Sequence, residues 1–209
     1  PGQATDVAGR LVAQKLSEVL GQPVVVDNRP GAGGMIGTDV VAKAPADGYT
    51  LLAASSGPIS ILPLVQKTPY DVERDFTPVA KVCTSPYLLV TAPGFPAPGA
   101  REFIAMLKAS PGKYAFASSG TGASAHLIAE WFNSTAGVQV THVPYKGSSA
   151  ALTDVISGQV AYTFESAAAT MALVRAGRLK AYGVTLARPT SVTPGIEPLA
   201  RVAGMADFD

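Results

Sequence analysis

Small and hydroxylated residues follow three predicted strands in the second half of this chain, each just before a predicted helix. Unpaired backbone N–H groups and the helix dipole make such helix N-termini attractive to anions. The carboxyl ends of parallel strands meet at one edge of a sheet, so the three loops can line a common site. They predict binding of a small anion, and they read Ser118-Ser119-Gly120-Thr121-Gly122, Lys146-Gly147-Ser148-Ser149 and Glu165-Ser166-Ala167.

A glycine-rich turn in the first half could also present its backbone to a ligand. It reads Arg29-Pro30-Gly31-Ala32-Gly33-Gly34 and lies between a β-branched run and a helical pattern. The dinucleotide fingerprint G-x-G-x-x-G fails here, because Ile36 stands where the third glycine is required. The phosphate-loop pattern G-x-x-x-x-G-K-[ST] is absent from the whole chain. Two interpretations stay open: a backbone site for a ligand, or a tight turn that lets the helix pack closely.

Nucleophilic catalysis is the alternative chemistry that the residue types allow. The chain has two histidines, His126 and His142, and Ser119 could work with His126 in an α/β hydrolase or transferase. No G-x-S-x-G elbow surrounds any serine, and no carboxylate motif accompanies the histidines as a metal site would require. The sequence therefore favours a structural His126 on a helix face beside the Ser119 loop. It predicts no catalytic residue, no metal site and no cofactor.

The elements that must position these residues alternate between helix and strand along the chain, which is typical of α/β proteins. In the first half, a helix over 5–20 precedes a βαβ unit with strands 24–27 and 50–54 around a helix 35–43, and this predicts a parallel sheet. The second half predicts helices 101–109, 124–134, 148–157 and 167–176, and strands 114–118, 140–145, 161–165 and 179–185.

The densest proline and glycine stretch, residues 92–99, marks the predicted passage between two lobes. The predicted division is 1–92 with 185–209 as the first α/β lobe and 93–184 as the second. Cys83, the single cysteine, lies in an apolar run and is predicted to be a small core residue.

Composition narrows the class of protein further. The 209 residues carry a formal net charge of +1 and 47% hydrophobic residues, with no basic run, so a nucleic-acid partner is not predicted. Proline, glycine or charge interrupts every long apolar window before it reaches the length of a membrane span. The chain opens on Pro1-Gly2 with no basic and apolar leader, so any signal peptide is expected to be absent from it already.

With these residues assembled, the chain resembles the substrate-binding proteins of tripartite tricarboxylate transporters, the Bug or TctC-like family. The matching segments run in order over almost the whole chain and are more specific together than singly. They are Pro1-Gly2 with Thr5-Asp6 and Arg10, Val26-Asp27-Asn28-Arg29-Pro30-Gly31-Ala32-Gly33-Gly34 with Gly37, Ala46-Asp47-Gly48-Tyr49-Thr50-Leu51, Ser119-Gly120-Thr121-Gly122 with His126-Leu127, Val143-Pro144-Tyr145-Lys146-Gly147, and Gly177-Arg178-Leu179.

The resemblance implies a periplasmic receptor that is not an enzyme, with the type II-like, two-lobed Venus flytrap fold of periplasmic binding proteins. Such a receptor closes on a small organic carboxylate and delivers it to the membrane permease of a tripartite tricarboxylate transporter. The carboxylate is held mainly through backbone N–H groups, hydroxyls and water. The predicted ligand-binding residues are Gly2, Gln3, Ala4, Asp6, Ser55, Ser56, Ser119, Gly120, Thr121, Gly122, Ser124, Lys146, Gly147, Glu165 and Ser166.

Several features depart from the family pattern. Gln3 stands where the family usually has glycine, and Glu165 stands where aspartate is common. Family members also begin with a strand before Pro1-Gly2 and continue beyond Asp209, so the first lobe is expected to be incomplete. The ligand itself stays open among a tricarboxylate, a dicarboxylate, an acidic amino acid, an aromatic acid and a neutral amide. Asp6 has two interpretations, a ligand contact or a helix cap.

Overall fold

The computed structural model describes residues 2–205 and Phe208, whereas Pro1, Ala206, Asp207 and Asp209, which the predicted first lobe includes, lie outside the described residues. The helices are α1 Ala4–Leu20, α2 Met35–Ala42, α3 Leu62–Val65, α4 Ala100–Ala109, α5 Ser124–Ala136, α6 Ser148–Ile156, α7 Ala167–Arg175 and α8 Leu199–Ala203. The strands are β1 Tyr87–Thr91, β2 Ala115–Ser118, β3 Thr141–Pro144, β4 Tyr162–Ser166 and β5 Lys180–Val184.

The five strands form one mixed sheet in the order β3-β2-β4-β1-β5. β2 runs parallel to β3 and to β4, whereas β1 is antiparallel to both of its neighbours, β4 and β5. The carboxyl ends of β2, β3, β4 and β5 therefore meet at one edge, and the amino end of β1 lies at that same edge, where Tyr87 stands opposite Ser166.

Helices cover both faces of this sheet, and the alternation along β1 shows how. Leu89 joins an aromatic core under α4, α5 and α8, whereas its neighbours Leu88 and Val90 join an aliphatic core under α6 and α7. Successive side chains of a strand point to opposite faces, so a strand covered on both sides is apolar at every position. The apolar run of β1 meets this requirement, and all four residues from Leu88 to Thr91 are buried.

The α/β class and the element order predicted for residues 101–185 are confirmed, with boundaries that differ by one or two residues. The helix predicted over 5–20 is α1, which ends at Gly21 in a left-handed conformation with φ +64°. None of the helices within the described residues is long and apolar enough to cross a membrane.

The strands predicted at 24–27 and 50–54 are wrong for the described residues. Neither segment belongs to a ladder, and Val25 keeps 83% of its surface exposed. An apolar, β-branched run becomes a strand only when another strand pairs with its backbone and a second layer covers its side chains. The helix between them forms as α2, but no parallel sheet accompanies it in residues 2–86.

Two further placements differ from expectation. Cys83 is exposed rather than part of a core, as is its neighbour Val82 at 60%. The division into 1–92 with 185–209 and 93–184 stays a prediction, but the sheet includes β1, which that division assigns to the first lobe. α8 and Phe208 also pack on the aromatic core of this sheet. A boundary drawn around the sheet would therefore start before Tyr87 and continue to Phe208.

Candidate functional site

The three predicted anion-binding loops meet at the edge where β2, β3 and β4 end. α5, α6 and α7 start there at Ser124, Ser148 and Ala167, so three helix N-termini point toward a common region. Gln3 is the residue that precedes α1, and its side chain reaches Glu165 at the end of β4. The start of α1 is thus a fourth helix N-terminus at the same edge.

The glycine-rich turn of the first half packs directly on the loop after β2. A Cβ atom on Gly33 would lie 2.6 Å from the carbonyl oxygen of Thr121, and one on Gly120 would lie 3.0 Å from the amide nitrogen of Gly33. Gly57 continues the contact, since its Cβ would meet the Cα of Ala123 at 3.4 Å. The glycines therefore allow the backbone of the turn to touch the backbone of the loop after β2. The turn thus packs on this loop as well as on the helix α2.

Glu165 is the most buried ionisable group of the site, with 2% of its surface exposed. The Ser166 amide donates a 2.7 Å hydrogen bond to its Oε1 atom. Burial raises the pKa of Glu165 above its ordinary range, against opposing polar contacts from Ser148, Ser166 and Gln3. Within the described part of the chain, Glu165 forms no salt bridge, which agrees with a carboxyl group that holds its proton more tightly than usual.

Two buried hydroxyls beside this carboxyl keep hydrogen-bonding capacity. Ser148 and Ser166 are 3% and 1% exposed. Both lie near enough to lower the pKa of Glu165, yet neither hydroxyl makes a hydrogen bond of ordinary geometry with a described residue. Buried hydroxyls nearly always have a partner, so this pair can accept a ligand or a water molecule.

Sequence reasoning missed Tyr87 as a member of this site. Burial raises the pKa of Tyr87 to about 12, and the negative charge of Glu165 adds to the increase, whereas a hydrogen bond with Ser124 opposes it. The only sequence signal is a tyrosine at the start of an apolar run. The antiparallel direction of β1 is what brings that end to the loops.

We expect Glu165→Gln to change how the thermal unfolding midpoint depends on pH. A raised pKa means that the folded protein binds more protons than the unfolded chain, so the parent loses stability as pH rises from the ordinary glutamate range through the raised value. Glutamine keeps the size and hydrogen bonds of the side chain without a charge. The midpoint of the variant minus that of the parent should therefore increase with pH, measured by calorimetry at a series of pH values from mildly acidic to mildly alkaline.

Glu73→Gln, at an exposed glutamate, is the matched control and should leave the pH profile of the parent unchanged. A Glu165→Gln profile parallel to that of the parent would contradict the assignment of a buried, proton-retaining carboxyl.

The Asp6 carboxylate already has partners within the protein. Its oxygens accept hydrogen bonds from the Gly2 amide at 2.7 Å and the Asn28 amide at 2.9 Å, and Arg10 lies at 3.0 Å. The hydrogen bond from Gly2 is the main cause of the lowered pKa of Asp6. This geometry favours the capping interpretation, because the carboxylate fixes the start of α1.

The remaining predicted residues differ in how closely they join the loops. Ser55 and Ser56 are exposed and precede Gly57, so the chain brings them beside the loop after β2. Ser119 and Thr121 belong to that loop, with Thr121 exposed and Gly122 buried. The others lie next to the helix starts: Gly2 and Ala4 at α1, and exposed Lys146 with half-buried Gly147 at α6.

No hydrogen bond joins Ser119 to His126 among the described residues. The Gly122 amide donates to Nδ1 of His126 at 3.2 Å, and Glu130 faces Nε2 at 3.6 Å. His142 contacts the fully buried Ser118 instead. The histidines therefore support the loop rather than activate a surface serine. The described residues contain no group of three potential metal ligands.

A mixed sheet covered on both faces, with helix N-termini and polar loops at one edge, is typical of ligand-binding α/β proteins, among them the lobes of solute-binding proteins. Residues 8–207 match the tripartite tricarboxylate transporter family receptor, TctC, and the chain belongs to that family. This is a family of receptors, and neither the family nor the fold supports the hydrolase alternative.

Relatives and solved structures agree with this assignment. Protein BugT of Bordetella pertussis is 42% identical over 210 residues, which are all of this chain and 64% of BugT. The chain thus spans less than two thirds of the length of this relative.

A structure described as a periplasmic transporter is 38% identical with a TM-score of 0.93, over 98% of this chain and 69% of that chain. R. palustris Rpa4515 with adipate has 33% identity and a TM-score of 0.93, over 100% of this chain and 70% of that chain. MatC from Rhodopseudomonas palustris with bound malate has 30% identity and a TM-score of 0.91, over 100% of this chain and 71% of that chain.

Proposed function

We propose that the whole protein is a periplasmic solute receptor that binds a small organic carboxylate between its lobes and delivers it to the permease of a tripartite tricarboxylate transporter. The observation that carries this proposal is the convergence of four helix N-termini around two buried hydroxyls, those of Ser148 and Ser166, at one sheet edge. Family membership and the adipate-bound and malate-bound neighbours support it.

Recognition of the anion would come from dipoles and hydrogen bonds. Loop residues Ser119–Gly122 offer backbone N–H groups and the exposed Thr121 hydroxyl, and Ser148 and Ser166 offer two more hydroxyls. Hydrogen bonds to a charged partner are stronger than those between neutral groups, and helix N-termini add favourable potential. A site of this kind binds a carboxylate without a guanidinium.

Glu165 would favour ligands that tolerate a carboxyl group beside them. As a neutral acid it donates a hydrogen bond to a ligand oxygen, whereas as a carboxylate it repels an anion. Burial raises the pKa of Glu165 and so favours the neutral form more than at an exposed glutamate. Glu165 and the adjacent Gln3 are therefore the proposed determinants of which acid binds.

Binding calorimetry of the intact protein with adipate and malate tests the proposal, together with the variant Thr121→Ala. We expect saturable binding of at least one acid, recovered chemically unchanged. If the Thr121 hydroxyl donates to the ligand carboxylate, its loss should weaken binding by roughly tenfold or somewhat more, the equivalent of about 1.5–3 kcal/mol for a hydrogen bond to a charged group.

Thr135→Ala is the matched control, because Thr135 is exposed near the other end of α5. Its affinity should equal that of the parent. Conversion of the ligand to a product would overturn the receptor proposal, and unchanged affinity in a folded Thr121→Ala protein would move the site away from this loop.

A further inference from the structure

Two histidine rings stack beneath the loop Ser119–Gly122, which we call the anion loop. The centroids of His126, on α5, and His142, on β3, lie 4.0 Å apart with 21° between the ring planes. The ring of Phe116 stacks on His142 at 4.8 Å. The two imidazoles are thus held between the sheet and the start of α5.

Both rings connect to backbone amides of the anion loop. Nδ1 of His126 accepts a 3.2 Å hydrogen bond from the Gly122 amide, so this nitrogen carries a lone pair. Nε2 of His142 lies 2.7 Å from the Ser118 hydroxyl oxygen, which in turn accepts a 3.2 Å hydrogen bond from the Gly120 amide. One loop amide is fixed by a histidine directly and the other through Ser118.

We propose that His126 and His142 are positioning residues of the anion loop, and that the loop keeps its binding geometry only while His126 is neutral. The part that concerns ligand affinity rests on the proposed carboxylate-binding function. A protonated imidazole has an N–H on both nitrogens and cannot accept. Protonation of His126 would therefore set its Nδ1–H against the Gly122 amide and break the hydrogen bond.

The groups that face His126 and His142 determine which of the two rings can carry a positive charge. Glu130, one turn further along α5, faces Nε2 of His126, and His142 faces the ring from β3. Burial, together with the nearby charge of His126, lowers the pKa of His142 to about 4. Two stacked imidazoles do not both take a proton near neutral pH. His142 is therefore neutral near physiological pH, and the proposal concerns the charge of His126.

Loss of the hydrogen bond between the Gly122 amide and His126 would also affect residues outside the loop. The neighbouring Thr121 carbonyl touches the Gly33 turn, and a cavity of about 260 Å³ beside Gly122 and His126 is bordered by Leu62 of α3. Protonation of one ring would change both the anion-binding amides and the contact between the two halves of the chain.

The test compares His126→Asn with His126→Leu in the intact protein. The asparagine side chain of the first variant offers a carbonyl oxygen in place of Nδ1 and does not titrate, whereas leucine offers no acceptor. We expect the Gly122 amide resonance of the parent to shift when the His126 ring takes up a proton, as pH falls from about 8 to about 5, and that of His126→Asn to stay constant. At the alkaline end, His126→Leu should bind adipate or malate about tenfold more weakly, and His126→Asn should recover most of that loss.

Ser134→Ala, at an exposed position of α5, is the matched control and should follow the parent throughout. A Gly122 resonance that is independent of pH in the parent would overturn the proposal, as would equal affinity of folded His126→Leu and the parent. The resonance experiment needs no ligand. If neither adipate nor malate binds the parent, the proposal that these acids are ligands fails. The pH dependence of the Gly122 resonance still tests the role of His126.

Discussion

Gly33→Ala should weaken the proposed carboxylate binding by at least about tenfold and destabilise the protein more than Gly21→Ala, a change at the same φ. The new Cβ would lie 2.6 Å from the Thr121 carbonyl oxygen, a separation at which backbone must move. The moving backbone belongs to the anion loop, so the geometry of this loop and its contact with the Gly33 turn change together. A free-energy loss of about 1.4 kcal/mol already corresponds to tenfold in affinity.

Gly21→Ala separates this effect from backbone strain. Gly21 and Gly33 have the same φ of +64°, but a Cβ on Gly21 meets nothing within 4 Å. Both variants therefore carry the left-handed penalty of about 1–2 kcal/mol, and only Gly33→Ala adds the collision. Chemical denaturation and binding calorimetry on both variants give the difference. Equal stability and equal affinity in the two variants would contradict the proposed role of the contact.

Phe103→Ala should remove about 3–5 kcal/mol from the free energy of unfolding, as large aromatic truncations in tight cores do. Phe103 has no exposed surface. Its ring lies 5.3 Å from those of Phe95 and Tyr162 and 5.1 Å from that of Tyr182. Alanine would leave a cavity beneath the sheet that positions all three loops. Single domains are stable by only about 5–15 kcal/mol, so this variant should unfold at much lower denaturant concentration.

Leu64→Ala is the control, because it removes an apolar side chain that is not packed in a core. Leu64 keeps 85% of its surface exposed. Its truncation should change stability by no more than about 0.5 kcal/mol. A Phe103→Ala cost as small as that of Leu64→Ala would mean that the aromatic core relaxes to fill the space.

Local sequence patterns were sufficient to predict the elements of the second half and the loops at their ends. Apolar periodicity placed α4–α7 and β2–β5 within one or two residues, because each element is long enough to show its own period and ends in glycine, proline or a hydroxylated residue. The parallel order of those strands then required their carboxyl ends to share an edge. The proposed chemistry of anion recognition follows from the local residue types there.

Local patterns predicted only those residues of the candidate site that stand at the ends of strands. Ser119–Gly122, Gly147, Glu165 and Ser166 stand at strand ends that the pattern locates. Tyr87 was missed because a strand pattern carries no direction, and only the antiparallel insertion of β1 brings its first residue to this edge. The resemblance, which covers almost the whole chain, supplied the family.

Contacts that join distant segments depended on the tertiary fold. The stacking of His126 on His142 brings α5 against β3, and the contact of Gly33 with Thr121 joins the two halves of the chain. The strands expected at 24–27 and 50–54 failed for the same physical reason: a local pattern states what a segment can become, whereas a strand exists only when a partner pairs with its backbone. Burial likewise raises the pKa of Glu165, and burial is a property of the folded chain.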